Sequence, residues 1–193
     1  TLNIEGYYKD FRLLTSMNRN QIYSENDAPP GTPQIEKKDF MIERGDAYGV
    51  DVSIKYEGKD WYLWGAYSLG YVTKDYENAE GEMVTYRTHY DRRHNVNLIA
   101  TYTAGAKNQW EFSARWNFGT GFPFTKVTGF YEELQYDNIY FDPYTESGNL
   151  GLLYDELNTG QLPTYHRLDL DLKRKFYFSE SVVLEADLGV TNV

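Results

Sequence analysis

The chain has 193 residues, 41% hydrophobic and 17% aromatic, with 19 Tyr, no Cys and a formal net charge of -10. That is enough for one sizeable domain; the missing Cys excludes disulfide scaffolds, zinc ribbons and thiol catalysis, and the acidity argues against nucleic acid, which needs a basic face. Mean hydropathy is -0.66 and no stretch approaches the ~20 apolar residues of a membrane helix, which leaves room for a membrane barrel, whose strands are apolar on one face only.

Seven segments alternate with a period of two, which puts successive side chains on opposite faces of a strand. The first, Leu2 to Leu14, sets Leu2, Ile4 and Tyr8 against Asn3, Glu5 and Lys9. The second, Ala47 to Glu57, sets Tyr48, Val50, Val52, Ile54 and Tyr56 against Asp51, Ser53 and Lys55. The third, Trp61 to Thr73, sets Trp61, Leu63, Tyr67, Leu69 and Tyr71 against Ala66, Ser68 and Gly70, with Tyr62 and Trp64 as bulky exceptions. The fourth, His94 to Thr103, opposes Val96, Leu98, Ala100 and Tyr102 to Asn95, Asn97 and Thr101. The fifth, Gln109 to Thr120, is the clearest: Trp110, Phe112, Ala114, Trp116 and Phe118 against Glu111, Ser113, Arg115 and Asn117. In the sixth, Tyr165 to Phe176, Leu168, Leu170 and Leu172 oppose Arg167, Asp169, Asp171 and Lys173. The seventh, Val182 to Thr191, closes the series with Val182, Leu184, Ala186, Leu188 and Val190 against Glu185 and Asp187.

The connections alternate too. Residues 58–60, 104–108 and 177–181 are short links, whereas 15–44, 74–93 and 121–164 are long. Loops of that length count against a compact soluble domain, but an outer-membrane barrel has short turns on one rim and long loops on the other. Aromatic residues recur beside every short link: Tyr56 and Trp61, Tyr102 and Trp110, Phe176 and Phe178. Rings at headgroup depth form the girdle of a barrel, and Tyr48, Tyr71, Tyr90, Phe118, Phe122 and Phe124 supply a second belt at the far end. The fold class expected is therefore all-β: an antiparallel, up-and-down transmembrane β-barrel, present in part as about seven strands.

Several strings carry a family resemblance. They are Gly6-Tyr7-Tyr8-Lys9, Ala47-Tyr48-Gly49-Val50-Asp51, Tyr90-Asp91-Arg92-Arg93-His94-Asn95, Gly119-Thr120-Gly121-Phe122-Pro123-Phe124-Thr125, Tyr165-His166-Arg167-Leu168-Asp169-Leu170 and Gly189-Val190-Thr191-Asn192-Val193. In this order and spacing the chain resembles the C-terminal barrel portion of TonB-dependent outer-membrane transporters of the Bacteroidetes type. The resemblance implies a 22-stranded barrel around a plug, of which residues 1–193 form part of one barrel domain. The plug, the closing strand and the N-terminal segment that engages TonB lie outside this sequence, which begins at Thr1 and ends at Val193 in strand-like sequence and so reads as a piece of a longer protein. The implied function is TonB-dependent active transport of a nutrient across the outer membrane, with the bilayer, TonB and a surface lipoprotein as partners.

The candidate site residues follow. Asp91, Arg92, Arg93 and His94 fall where a long loop enters a strand, and an ion-pair network at the barrel rim is expected there. His89, His94 and His166 show no metal-ligand spacing, and no catalytic order of side chains is present, so no enzyme, metal or cofactor is expected. The longest loop carries Tyr131, Tyr136, Tyr140 and Tyr144 among Glu132, Glu133, Asp137, Asp142 and Glu146. Tyrosine rings suit stacking on sugars or peptides, and the carboxylates are the one place where Ca²⁺ would find oxygen ligands. Two rival readings share these patterns: a transporter-like barrel acting as a structural subunit of an outer-membrane assembly or secretion complex, and a soluble β-sandwich carbohydrate-binding module.

Overall fold

The computed structural model describes residues 1–24, 26, 28–78, 80–133, 149–179 and 181–193. The described residues are all-β and antiparallel, with one short 3-10 turn, Gln34–Glu36. Seven long strands form a meander: β1 (Leu2–Met17), β2 (Phe40–Glu57), β3 (Trp61–Glu77), β5 (His94–Ala104), β6 (Trp110–Gly119), β11 (Tyr165–Tyr177) and β12 (Val183–Thr191), each paired with the next in that order. All seven expected strands are present and neighbours in sequence are neighbours in the sheet. Among the described residues the sheet does not close, and β1 and β12 are its edges.

Three of the long links contain more structure than the alternation predicts. β3 runs on to Glu77 and pairs with β4 (Met83–Arg87) in a hairpin off the main path. The longest link holds β7 (Pro123–Phe124) against β10 (Gly160–Gln161), and β8 (Val127–Glu133) against β9 (Asn149–Tyr154). At the other end, β1 passes through a bulge: Phe11 pairs with Gly45 and Leu14 with Glu43, so Arg12 and Leu13 face Arg44 alone. An extra residue on one strand reverses the alternation beyond it, which is why the sequence pattern ends at Leu14 while pairing continues to Met17 and Phe40.

The register aligns the apolar sets of all seven strands on one face. One row reads Leu2, Ile54, Gly65, Leu98, Trp116 and Leu168; the next towards the short turns reads Leu63, Ala100, Ala114, Leu170 and Val190. The opposite face carries Asp51, Asn97, Asn117, Arg167, Asp171 and Lys173. Burial is sparse: among the described residues the buried large or aliphatic apolar side chains are Ala47 and Tyr86. Leu188 is 68% exposed, Ile4 63% and Val190 54%.

The short turns are staggered. Relative to the row Trp61, Tyr102, Phe112 and Leu172, the first turn residues, Asp60, Gly105 and Phe178, lie one, three and six steps beyond it. From the centre of the β2–β3 hairpin to that of the β11–β12 hairpin is four strand spacings. Five steps of ~3.3 Å over four spacings of ~4.8 Å therefore incline the strands by roughly 40° to the perpendicular of the line of turns. Strands in closed barrels tilt by ~35–45°.

One close approach shapes the polar face. Tyr7 lies across the paired residues Gly49 and Gly70, and a Cβ on Gly49 would come within 2.7 Å of the Tyr7 Oη. Glycine leaves the gap that the ring fills.

Candidate functional site

The apolar face is built by the period of two and finished by aromatic residues at both ends. Near the short turns, Trp61 and Tyr102 have ring centroids 4.5 Å apart, Tyr102 and Phe112 6.5 Å, and Trp110 and Phe112 6.4 Å. Arg174 joins this end with its guanidinium 4.3 Å from the Trp110 ring and 4.5 Å from that of Phe176. The register puts Tyr56, Trp61, Tyr102, Trp110 and Phe176 on the same face, each within three residues of a short turn. Phe178 lies just past β11 and is exposed.

At the far end Tyr8, Tyr48 and Tyr71 share a row, and Tyr48 stacks on Tyr71 at 5.1 Å. Phe118 lies on this face as well. Tyr90 and Phe122 do not follow it. Tyr90 borders a cavity of about 580 Å³ with Tyr7, Lys9, Ala47 and Lys74 on the polar side, and Phe122 lies under the Arg92 guanidinium at 5.3 Å. Phe124 pairs with Gly160 outside the main sheet.

The loop-side end of the polar face is organised by two fully buried carboxylates. Asp91 pairs with Arg87 at 2.8 Å and Arg93 at 2.9 Å, and its Oδ1 accepts the Val72 N–H at 3.0 Å. Arg93 also stacks over the Tyr71 ring at 4.0 Å. Of the network expected at Asp91, Arg92, Arg93 and His94, Asp91 and Arg93 pair with each other, and Arg87 is the second partner of Asp91. Arg92 turns elsewhere, donating through Nε to the Thr120 carbonyl at 3.2 Å. His94 is on the apolar face, with Nδ1 2.9 Å from the Tyr67 hydroxyl.

Glu43 is the second buried carboxylate, and its role has no motif in the sequence. It lies beyond the apolar band, five residues outside Tyr48 on β2. Ser16 donates to it, as do Arg19 at 2.9 Å, Lys74 at 3.0 Å and Tyr86 at 3.1 Å. Burial pushes its carboxyl up, but the hydrogen bonds from Ser16, Lys74 and Arg19 outweigh that and hold it below the usual range. The cluster ties the outer ends of β1, β2 and β3 to β4.

Tyr131 lies on β8 opposite Gly151, half exposed and outside the main sheet. Tyr136, Tyr140 and Tyr144 fall outside the described residues, as do Asp137, Asp142 and Glu146. Among the described residues no group of three or more His, Asp or Glu could hold a metal ion. His89 lines a cavity with Arg19 and Lys74, whereas His94 and His166 sit on the apolar face.

No family model, curated protein or solved structure matches the chain. No helix of the described residues is long and apolar enough to cross a membrane, which says nothing of a strand-built barrel.

Proposed function

We propose that this chain is part of the wall of an outer-membrane β-barrel that imports a nutrient with energy from TonB. The carrying observation is the apolar face. It runs across seven strands, is bounded by aromatic residues at both ends, and its large side chains are exposed or half-exposed. From Trp61 to Tyr71 is ten residue steps on one strand. At ~3.3 Å per step and an inclination of roughly 40°, that spans ~25 Å, the height of the apolar band of outer-membrane barrels. A soluble sheet would have to cover such a surface, since patches far smaller are unusual on soluble proteins.

In this reading the bilayer covers the apolar face and the polar face looks into the lumen. Arg174 among Trp110 and Phe176 suits headgroup depth, where a cation meets lipid phosphate and rings tolerate both environments. The hairpins β3–β4 and β8–β9 stand on the extracellular rim, where cargo and a surface lipoprotein would be met. The TonB step is supported by the sequence resemblance and belongs to segments outside this sequence.

Fractionation and growth test it together. The full chain is expected in the outer-membrane fraction with heat-modifiable gel mobility. Deleting its gene should slow growth on one nutrient, and removing TonB should do the same. Insertion without any growth defect would assign the barrel to a structural assembly instead. A folded, monomeric chain without detergent would contradict the membrane reading.

A further inference from the structure

We infer that the polar face carries a binding site for a small oxyanion, a phosphate- or carboxylate-bearing solute, built from Arg92, Arg115 and Arg167. The three arginines are far apart in the chain and are joined by the register of β6 with β11 and by the link that leads into β5. Arg167 on β11 pairs with Asn117 on β6, and Arg115 is two residues further along β6 on the same face. Arg92 reaches in from the link before β5 and lies over Gly119, where any Cβ would overlap its guanidinium. Gly119, Asn117 and Arg115 occupy successive same-face positions of β6, so Arg92, Arg167 and Arg115 enter the patch at three successive rows. Asn95 and Asn97 on β5 face Gly119 and Asn117. Together these side chains line a cavity of about 460 Å³.

The charges there do not balance. Among the described residues Asp169 is the single carboxylate lining that cavity. Arg167 occupies both of its oxygens through Nε, at 2.8 and 3.0 Å, and the Asn192 N–H donates to it as well at 3.0 Å. Arg115 faces Asp169 across the ladder and is exposed, and among the described residues neither it nor Arg92 reaches a carboxylate within salt-bridge distance. Three arginines against one aspartate leave two positive charges on this patch, in a chain whose formal net charge is -10. Guanidinium forks match planar and tetrahedral oxyanions, and amide N–H groups complete the donor set. Asn95, Asn97 and Asn117 supply such amides. The patch is defined by the sheet itself and does not rest on the membrane reading.

Isothermal titration of the full chain in detergent micelles at low ionic strength tests this, with inorganic phosphate, citrate and glucose as probes. Phosphate and citrate should saturate one site and compete, and glucose should give no heat. Arg115→Gln, at an exposed position, should weaken both anions about tenfold, and adding Arg92→Gln should weaken them about a hundredfold. Arg115→Lys should fall between wild type and Arg115→Gln, because it keeps the charge and loses the fork. Lys173→Gln, deeper on the same face, should leave the affinity unchanged. Absence of saturable binding by either anion, or an affinity that the double variant leaves intact, would overturn the inference.

Discussion

Replacing Leu98 with arginine is expected to destabilise the protein in a bilayer by about 2–4 kcal/mol, the range for a cation at the midplane of a barrel's lipid face. Leu98 lies on β5, seven residues from the short turn at Gly105, opposite Gly65 and Trp116, and 43% of its surface is exposed. On a water-facing sheet the same change would fall within about 0.5 kcal/mol, as for ordinary surface substitutions. The neighbouring substitution Asn97→Arg points to the polar face and serves as the internal control. Denaturant titration in lipid vesicles should therefore separate the two variants by several-fold in stability. Equal, small effects would mean that water covers both faces.

Glu43→Gln carries the second large effect. Removing one partner of a buried ion pair typically costs about 3–5 kcal/mol because the remaining charge is left uncompensated. Arg19 and Lys74 keep some solvent contact, so the lower end of that range is expected here. The loss should be local, since the cluster joins the loop-side ends of β1, β2 and β3 to β4. Limited trypsin digestion reads it: cleavage at Arg19, Lys37 or Lys38 should accelerate many-fold while the rest of the sheet stays protected. Acid should imitate the substitution in the wild type. The Glu43 carboxyl is held below its ordinary value of about 4.5, so its stabilisation is fully present above that pH and fades as pH falls through the lowered value. Protection measured with an acid-active protease should therefore hold at pH 5 in the wild type and fail only below 4.5. The Gln variant should lack it at every pH. Unchanged protection in Glu43→Gln would show that the carboxylate does not pin the rim.

The sheet was legible because one face is apolar in strand after strand, so a period of two survives from Leu2 to Val190. The up-and-down order followed from the alternation of short and long links. The hidden parts have physical causes. The bulge at Arg12 and Leu13 reverses the facing of β1, so its last residues no longer match the pattern. β9, with Leu150, Leu152 and Leu153, breaks strict alternation, and it pairs with β8 alone, outside the main sheet. The burial of Glu43 could not be read because its donors Arg19, Lys74 and Tyr86 are 24, 31 and 43 residues away in the chain. The shared face of Tyr56, Trp61, Tyr102, Trp110 and Phe176 was legible because each lies inside an alternating strand close to a short turn. Tyr90 and Phe122 misled because an aromatic residue outside a strand has no face fixed by alternation. The arginine patch was invisible for the same reason as Glu43: strand register and the fold of the link before β5 bring Arg92, Arg115 and Arg167 together from distant parts of the chain.

The central claim is that lipid covers one face of this sheet, and the four tryptophans test it directly. The register puts Trp61, Trp110 and Trp116 on the apolar face and Trp64 on the polar one. Four variants, each retaining one tryptophan, would be inserted into vesicles of lipids brominated at defined acyl depths. Trp116 should be quenched most by deep bromines, Trp61 and Trp110 by shallow ones, and Trp64 by none. Equal quenching of Trp64 and Trp116, or none of Trp116, would contradict the account.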